Sequence, residues 1–356
     1  MENVQTNTKP AEERHYSSFR YAVGAVLAFF GISSKTHRGS KKRAKLTGDI
    51  FTYIILLLGA FLMVYPFWWM IAASFTFTSD VTGSALSGTI GAMVWWPSNP
   101  LPAQTSDGRD LGLFYNYYYM FTEGMVGSDS TGLAAGFTYW RAVLNNLIYS
   151  IVPVVVGVIT SASAAFSFAK IKWIGRNVVF MFLLAAIMVP GPSIMTTQYV
   201  MYVSFGWLEG AGQPNAWMTL TIPGLFGSIM TAFFIRQFLF GLPTSIIEAA
   251  KIDGAGYFRI FCSFILPLAM PAIVAQGLLS FMGCWNNYMG SYIFISNTSL
   301  WINLPHAMTI VNNKYGATNA GPVMASMVMC VLPVIILFAV FQKMIIGSLM
   351  LTGSKE

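Results

Sequence analysis

The sequence predicts an all-α, polytopic membrane protein with six transmembrane helices. It also predicts a short cytoplasmic helix between the fourth and fifth, and a long extracytoplasmic insertion after the first. Three observations carry this. Hydrophobic residues make up 55% of the 356-residue chain and charged residues only 9%, where soluble domains run at roughly a quarter charged. The apolar residues gather into runs able to supply the roughly 20 helical residues that a bilayer crossing needs, and mean hydropathy is +0.61. The basic residues obey the positive-inside rule. With six crossings, 17 of the 20 Lys and Arg lie on the side of the N-terminal basic run, and only Arg109, Arg141 and Lys314 on the other.

Residues 1–49 form a cytoplasmic segment. Its first 18 residues are polar and read as disordered. Residues 19–32 are apolar but too short to span comfortably, and read as an interfacial helix, with a short extra span as the alternative. Glu12 and Glu13 ahead of this stretch, and no small-x-small site after it, argue against a signal peptide. The run from Lys35 to Lys45 is strongly basic. It reads as a solvated juxtamembrane anchor, not a nucleic-acid site, and marks its side as cytoplasmic.

The first span is 50–75, and residues 76–145 form the extracytoplasmic segment. The core follows over 146–342, with spans at 147–169, 178–202, 216–235, 264–295 and 320–341. Pro190-Gly191-Pro192 must kink or break the third span. Residues 343–356 form a short cytoplasmic tail.

Between the fourth and fifth spans, residues 243–258 make a polar, small-residue island. Ser245 and Glu248 have the S-x-x-E spacing of a capping box, and Pro243 keeps the approach non-helical. Gly254 supplies a left-handed stop. The result is a helix of about two turns over 246–253, too short to persist without packing. Ala249 and Ala250 give it a low relief that a partner can approach closely.

None of the spans holds Asp, Glu, Lys, Arg or His in its apolar interior. That argues against proton coupling, which places ionisable groups at membrane depth. There is no G-x-x-x-x-G-K-[ST], so the chain has no P-loop with which to hydrolyse ATP, and no H-E-x-x-H. The spacing of Cys262, Cys284 and Cys330 fits neither a zinc site nor a disulfide framework, and no catalytic residues or cofactor site are expected. An ion-coupled secondary transporter or channel for a neutral polar solute stays open, because sodium can be held by backbone and hydroxyl oxygens.

The spans do offer uncharged polarity, among it Ser161, Ser228, Thr231, Gln276 and Ser280. Most such hydroxyls serve helix packing. Trp285-Asn286-Asn287-Tyr288 mixes amides with flat aromatic faces, a combination that suits a sugar; an interfacial aromatic belt competes for Trp285 and Tyr288. The outer segment carries Trp95-Trp96-Pro97 and Tyr115-Asn116-Tyr117-Tyr118-Tyr119, and reads as a small cap or a docking surface.

Several of these motifs together resemble the permease subunits of bacterial ATP-binding-cassette importers, of the carbohydrate-uptake kind similar to the maltose transporter's smaller permease. Glu248-Ala249-Ala250, Asp253-Gly254 and the later Leu266-Pro267 resemble that family's EAA loop. Gly175-Arg176 resembles its turn after the second span, Phe281 through Asn287 its F-x-x-x-W-N pattern, and Phe341-Gln342-Lys343 its C-terminal signature. Asn287 departs, standing where the family often has an acid. Residues 101–137 look like an insertion to which the family assigns no function.

The resemblance implies a second permease subunit, two ATPase subunits that bind the ATP, an external solute-binding protein and a carbohydrate substrate, in the cytoplasmic membrane. It makes Ser245, Glu248, Ala249, Ala250, Asp253 and Gly254 the ATPase-coupling residues. Trp285, Asn286, Asn287 and Tyr288 are then expected along the substrate path. The segment 296–319 resembles the loop that reaches into the binding protein, which makes Asn303, His306, Asn312 and Asn313 the expected contacts.

Overall fold

The computed structural model describes residues 40–75, 114–122, 133–315 and 320–353, with backbone alone at 40–49, 314–315 and 343–353. The expected interfacial helix at 19–32, and the outer segment except for 114–122 and 133–145, lie outside the described residues. All regular structure among the described residues is helical. Contacts divide the chain into Met1–Pro66 and Phe67–Glu356.

Helix α1 is Ser40–Ser74, with a candidate span over Ile50–Ser74. From Ile50 to Val64 its large apolar side chains are exposed, as a lipid-facing helix requires. In the second unit, α2 (Tyr115–Thr122) forms from the tyrosine run. The Asn116 amide on α2 donates to the Ser74 carbonyl at 2.9 Å, and the Ser74 and Tyr117 hydroxyls are 2.8 Å apart. This part of the insertion is thereby tied down to the end of α1.

Helix α3 (Tyr139–Lys170) starts earlier than the expected second span, so residues 139–145 belong to the helical body. The bent pair α4 (Arg176–Ile187) and α5 (Gly191–Ser204) meets at 95°, with the break at Pro190 where the proline-glycine-proline run predicts it. The expected fourth span is two helices, α6 (Trp217–Leu225) and α7 (Ile229–Phe240), where the apolar pattern predicts one. The short helix α8 is Ser245–Ile252.

Next, α9 (Tyr257–Leu268) contains a π turn at Phe261–Ile265 and bends by 78° into α10 (Met270–Trp285). Pro267 and Pro271, which lack the donor that a regular ladder needs, flank this break. Helices α11 (Tyr288–Phe294) and α12 (Leu304–Tyr315) follow. The last, α13 (Ala320–Gly353), carries on into the expected tail as helix as far as Gly353. Among the described residues four helical stretches satisfy the length and hydropathy of a crossing, or up to six if each bent pair counts as one.

Helix α3 is the hub, packing against α6, α7, α10 and α12. Its contact with α6 is built on glycine. A Cβ on Gly157 would fall on the Gly224 carbonyl oxygen, and one on Gly224 would sit 2.5 Å from the Pro153 Cβ. Small residues of this kind let helix backbones approach within a membrane.

Two cores lie at opposite ends of α3. One gathers Phe137, Tyr139 and Val143 with Trp285, Ile302, Leu304 and Val323. The other gathers Ala165 and Phe166 with Ile235, Leu239, Ile247, Ala250 and Ile260. The second core holds α8 against the body.

Candidate functional site

Helix α8 begins at Ser245, one residue earlier than expected, and without the expected capping box. Thr244 already has helical backbone angles, φ −71 and ψ −23, so Ser245 lies inside the first turn. The Glu248 N–H is taken by the Thr244 carbonyl at 3.1 Å, which leaves the Ser245 hydroxyl no capping donor to accept. The far end forms as expected. Gly254 has φ +76; its N–H donates to the Lys251 carbonyl at 3.0 Å, and the Ala255 N–H donates to the Ala250 carbonyl at 2.9 Å. This is the paired bonding of a Schellman stop. The Lys251 ammonium donates to the Tyr257 hydroxyl at 2.9 Å, bridging that turn.

The two faces of α8 differ. Ile247 and Ala250 are buried in the core beside α3 and α7. Ser245, Glu248, Ala249, Lys251 and Asp253 are exposed. Ala250 is thus a packing residue in this chain, unlike the outward position expected for it, because its place one turn after Ile246–Ile247 puts it on the inner face. Two outward residues were not anticipated: Ile252 is 87% exposed and Phe258 81%. Both flank the Gly254 turn, and apolar residues inside a polar island were the available signal.

At the opposite end of α10, the four residues expected on a substrate path separate. Trp285 is only 1% exposed. Its indole N–H donates to the Cys330 carbonyl at 2.7 Å and its ring stacks on Phe281, so it offers no face to a solute. Asn286 is exposed, its amide bonded back to the Met282 carbonyl. Asn287 caps α11, its side-chain oxygen accepting from the Gly290 N–H at 3.0 Å. Tyr288 is half-buried.

Of the residues expected to meet a binding protein, Asn303 and His306 lie inside the chain, 1% and 2% exposed. Asn303 is the N-cap of α12, accepting from the His306 N–H at 3.1 Å, and its amide donates to the Asn287 carbonyl at 2.8 Å. His306 Nδ1 lies 3.2 Å from the Ser291 hydroxyl. Burial lowers its pKa from 6.5 to about 4. Sequence could not separate these inward groups from Asn312 and Asn313, which are exposed further along α12. The structure therefore joins buried Asn303 and His306 to the carbonyl of exposed Asn287 in one polar knot that fixes α11 against α12.

A family model described as binding-protein-dependent transport system inner membrane component matches residues 130–349. The arabinooligosaccharides transport system permease protein AraQ of Halalkalibacterium halodurans is 27% identical over 296 residues, 83% of this chain and 92% of its own length. The diacetylchitobiose uptake system permease protein NgcG of Streptomyces coelicolor is 24% identical over 297 residues, 83% of this chain and 86% of its own. The sn-glycerol-3-phosphate transport system permease protein UgpE of Yersinia pestis is 23% identical over 301 residues, 85% and 95%. A solved chain from a bacterial ABC transporter that imports the acidic polysaccharide alginate shares the fold. It has a TM-score of 0.62 at 19% identity, over 87% of this chain and 99% of that one.

Proposed function

The chain belongs to the family of binding-protein-dependent transport system inner membrane components, a multi-pass protein of the cytoplasmic membrane, and we propose that it is one permease of an ATP-driven importer taking up a carbohydrate. In this reading an external solute-binding protein delivers the sugar, a second permease completes the path, and two ATPase subunits hydrolyse ATP. Each bent helix pair is one crossing, giving six, and α8 lies on the cytoplasmic side.

The observation that carries the proposal is the two-sided build of α8. Ile247 and Ala250 lock it to α3 and α7, while Glu248, Ala249 and Ile252 face away from the body. A helix so pinned moves as a rigid piece with the spans it touches, which is what an ATPase closing beneath it requires. Ala249 supplies the close approach, Ile252 and Phe258 apolar grip, Glu248 and Asp253 charge, and Gly254 the turn back. The relatives named for arabinooligosaccharides and diacetylchitobiose support a sugar, and the uncharged span interiors favour a neutral one. Asn312 and Asn313, both exposed on α12, are the residues that would meet a binding protein in this reading.

The test is Gly254→Trp in the assembled complex. A Cβ there meets no atom within 4 Å, so the new ring projects outward towards a partner, and Gly254→Ala controls for the strain that φ +76 puts on any side chain there. Membrane insertion should persist, while the ATPase is lost from the purified complex or hydrolyses ATP without responding to solute. Normal transport and normal solute-stimulated hydrolysis would overturn the assignment.

A further inference from the structure

A cavity of about 250 Å³ opens where α3, α7 and α10 meet, lined by Pro153, Gly157, Ser228, Thr231, Ser280 and Gly283 among others. Its walls are mostly apolar, with Pro153, Val154 and Val158 beside bare glycine backbone, and they carry the hydroxyls of Ser228, Thr231 and Ser280 and no charge. The Thr231 and Ser280 hydroxyls face each other at 3.5 Å, the outer limit of a hydrogen bond, so each keeps most of its bonding capacity free. The volume falls short of the roughly 300–1,000 Å³ of a complete small-molecule site, as expected of one wall that a second subunit finishes.

A second observation extends the line of polarity. Moving from the cavity toward the start of α3, Pro153 is followed on the same face by Ser150 and Asn146, at helical spacing. Both are fully buried, and Ser150 Oγ and Asn146 Oδ1 have no hydrogen-bond partner. Unpaired buried polar atoms are costly, and packing alone would favour apolar side chains there. On α10, Gln276 lies one turn before Ser280. Uncharged polar groups thus run along one seam past the cavity, and the seam is shut at Asn146 and Ser150.

Resting on the transport reading above, we propose that this cavity is the chain's half of the permeation path. The hydroxyls of Thr231 and Ser280 keep it wet and hydrogen-bond an uncharged, hydroxyl-rich solute as it passes. The path therefore runs along the small-residue face of α10, and not over Trp285.

Cys284 also lines the cavity and is a free thiol, which makes it a native reporter. The full complex in lipid vesicles is treated with a cationic, water-soluble methanethiosulfonate or with membrane-soluble N-ethylmaleimide, and adducts are assigned to Cys284 by peptide mass spectrometry. The proposal expects modification by the cationic reagent. It expects that labelling to be lost in the Thr231→Val, Ser280→Ala double variant while N-ethylmaleimide still reacts. Modification by N-ethylmaleimide alone in the unaltered chain would overturn the path, and unchanged cationic labelling in the double variant would overturn the role of the hydroxyls. ATPase co-purification is scored separately. A silent Cys284 in a complex that hydrolyses ATP sinks this inference and leaves the importer reading standing, whereas a labelled Cys284 in a chain that recruits no ATPase does the reverse.

Discussion

Ser161 and Ser228 bond each other across two helices: the Ser228 N–H donates to the Ser161 hydroxyl at 2.9 Å, and that hydroxyl donates back to the Ser228 carbonyl at 3.3 Å. The pair repairs a broken helix. Between α6 and α7 the chain turns through Gly227 at φ +81, freeing backbone groups of the broken helix. Thr160 completes the repair by donating to the Leu225 carbonyl at 3.1 Å. Broken helices persist in membranes only when their freed groups find such partners.

Ser161→Ala removes this repair. It leaves the part-buried Ser228 N–H without its partner and should cost about 1 kcal/mol, read as a lower midpoint of thermal unfolding in detergent. An unchanged midpoint would mean that water satisfies the break.

The glycine crossing should be intolerant of bulk. Gly224→Ala drives a methyl group into Pro153 and overpacks the contact between α3 and α6. The expected loss is about 1–3 kcal/mol, with reduced yield of folded protein. Gly136→Ala gives a contrast: its Cβ meets nothing within 4 Å, so its penalty comes only from its backbone φ of +77, about 1 kcal/mol.

Residues at the end of α10 divide into structural and solute-facing by stability. Trp285→Phe keeps the stacking but loses the bond to Cys330, and should cost about 1 kcal/mol. Asn287→Ala loses the cap of α11 and should also cost about 1 kcal/mol. Asn286→Ala, exposed and bonded only within its own turn, should change stability by less than about 0.5 kcal/mol. A transport defect in Asn286→Ala with unchanged stability would place that amide on the path; unaltered uptake kinetics would remove it.

His306 should make the contact between α11 and α12 acid-sensitive. Its imidazole titrates near 6.5 when exposed and at about 4 in the fold. Between those values the unfolded chain takes up a proton and the folded chain does not, so stability rises with pH across that window. It is fully present above pH 6.5 and falls as pH drops towards 4, by up to about 3 kcal/mol. In His306→Gln the slope of unfolding midpoint against pH should flatten between those limits. An unchanged slope would assign the acid sensitivity to other groups.

How far each feature was legible depends on how local its cause is. The bend at Pro190 and the stop at Gly254 follow from single residues that cannot do otherwise. The capping box failed because S-x-x-E describes a pairing available only if Ser245 lies outside the helix, and the angles of Thr244 place it inside. The break at Gly227 passed unnoticed because the apolar pattern runs through it unbroken. What makes the break tolerable is Thr160 and Ser161, 65 or more residues away in sequence.

Composition, the placement of lysine and arginine, and a few proline and glycine positions were enough by themselves to determine that this chain is a bundle of membrane helices with a short capped-off helix on one side. Hydropathy and steric limits act within a few residues, so they are written locally. Which face of α8 looks inward, why Trp285 and His306 are hidden, and where free hydroxyls gather beside α10 were decided only by tertiary structure. Each depends on which distant segment supplies the opposing surface, and a single chain read in order does not contain that pairing.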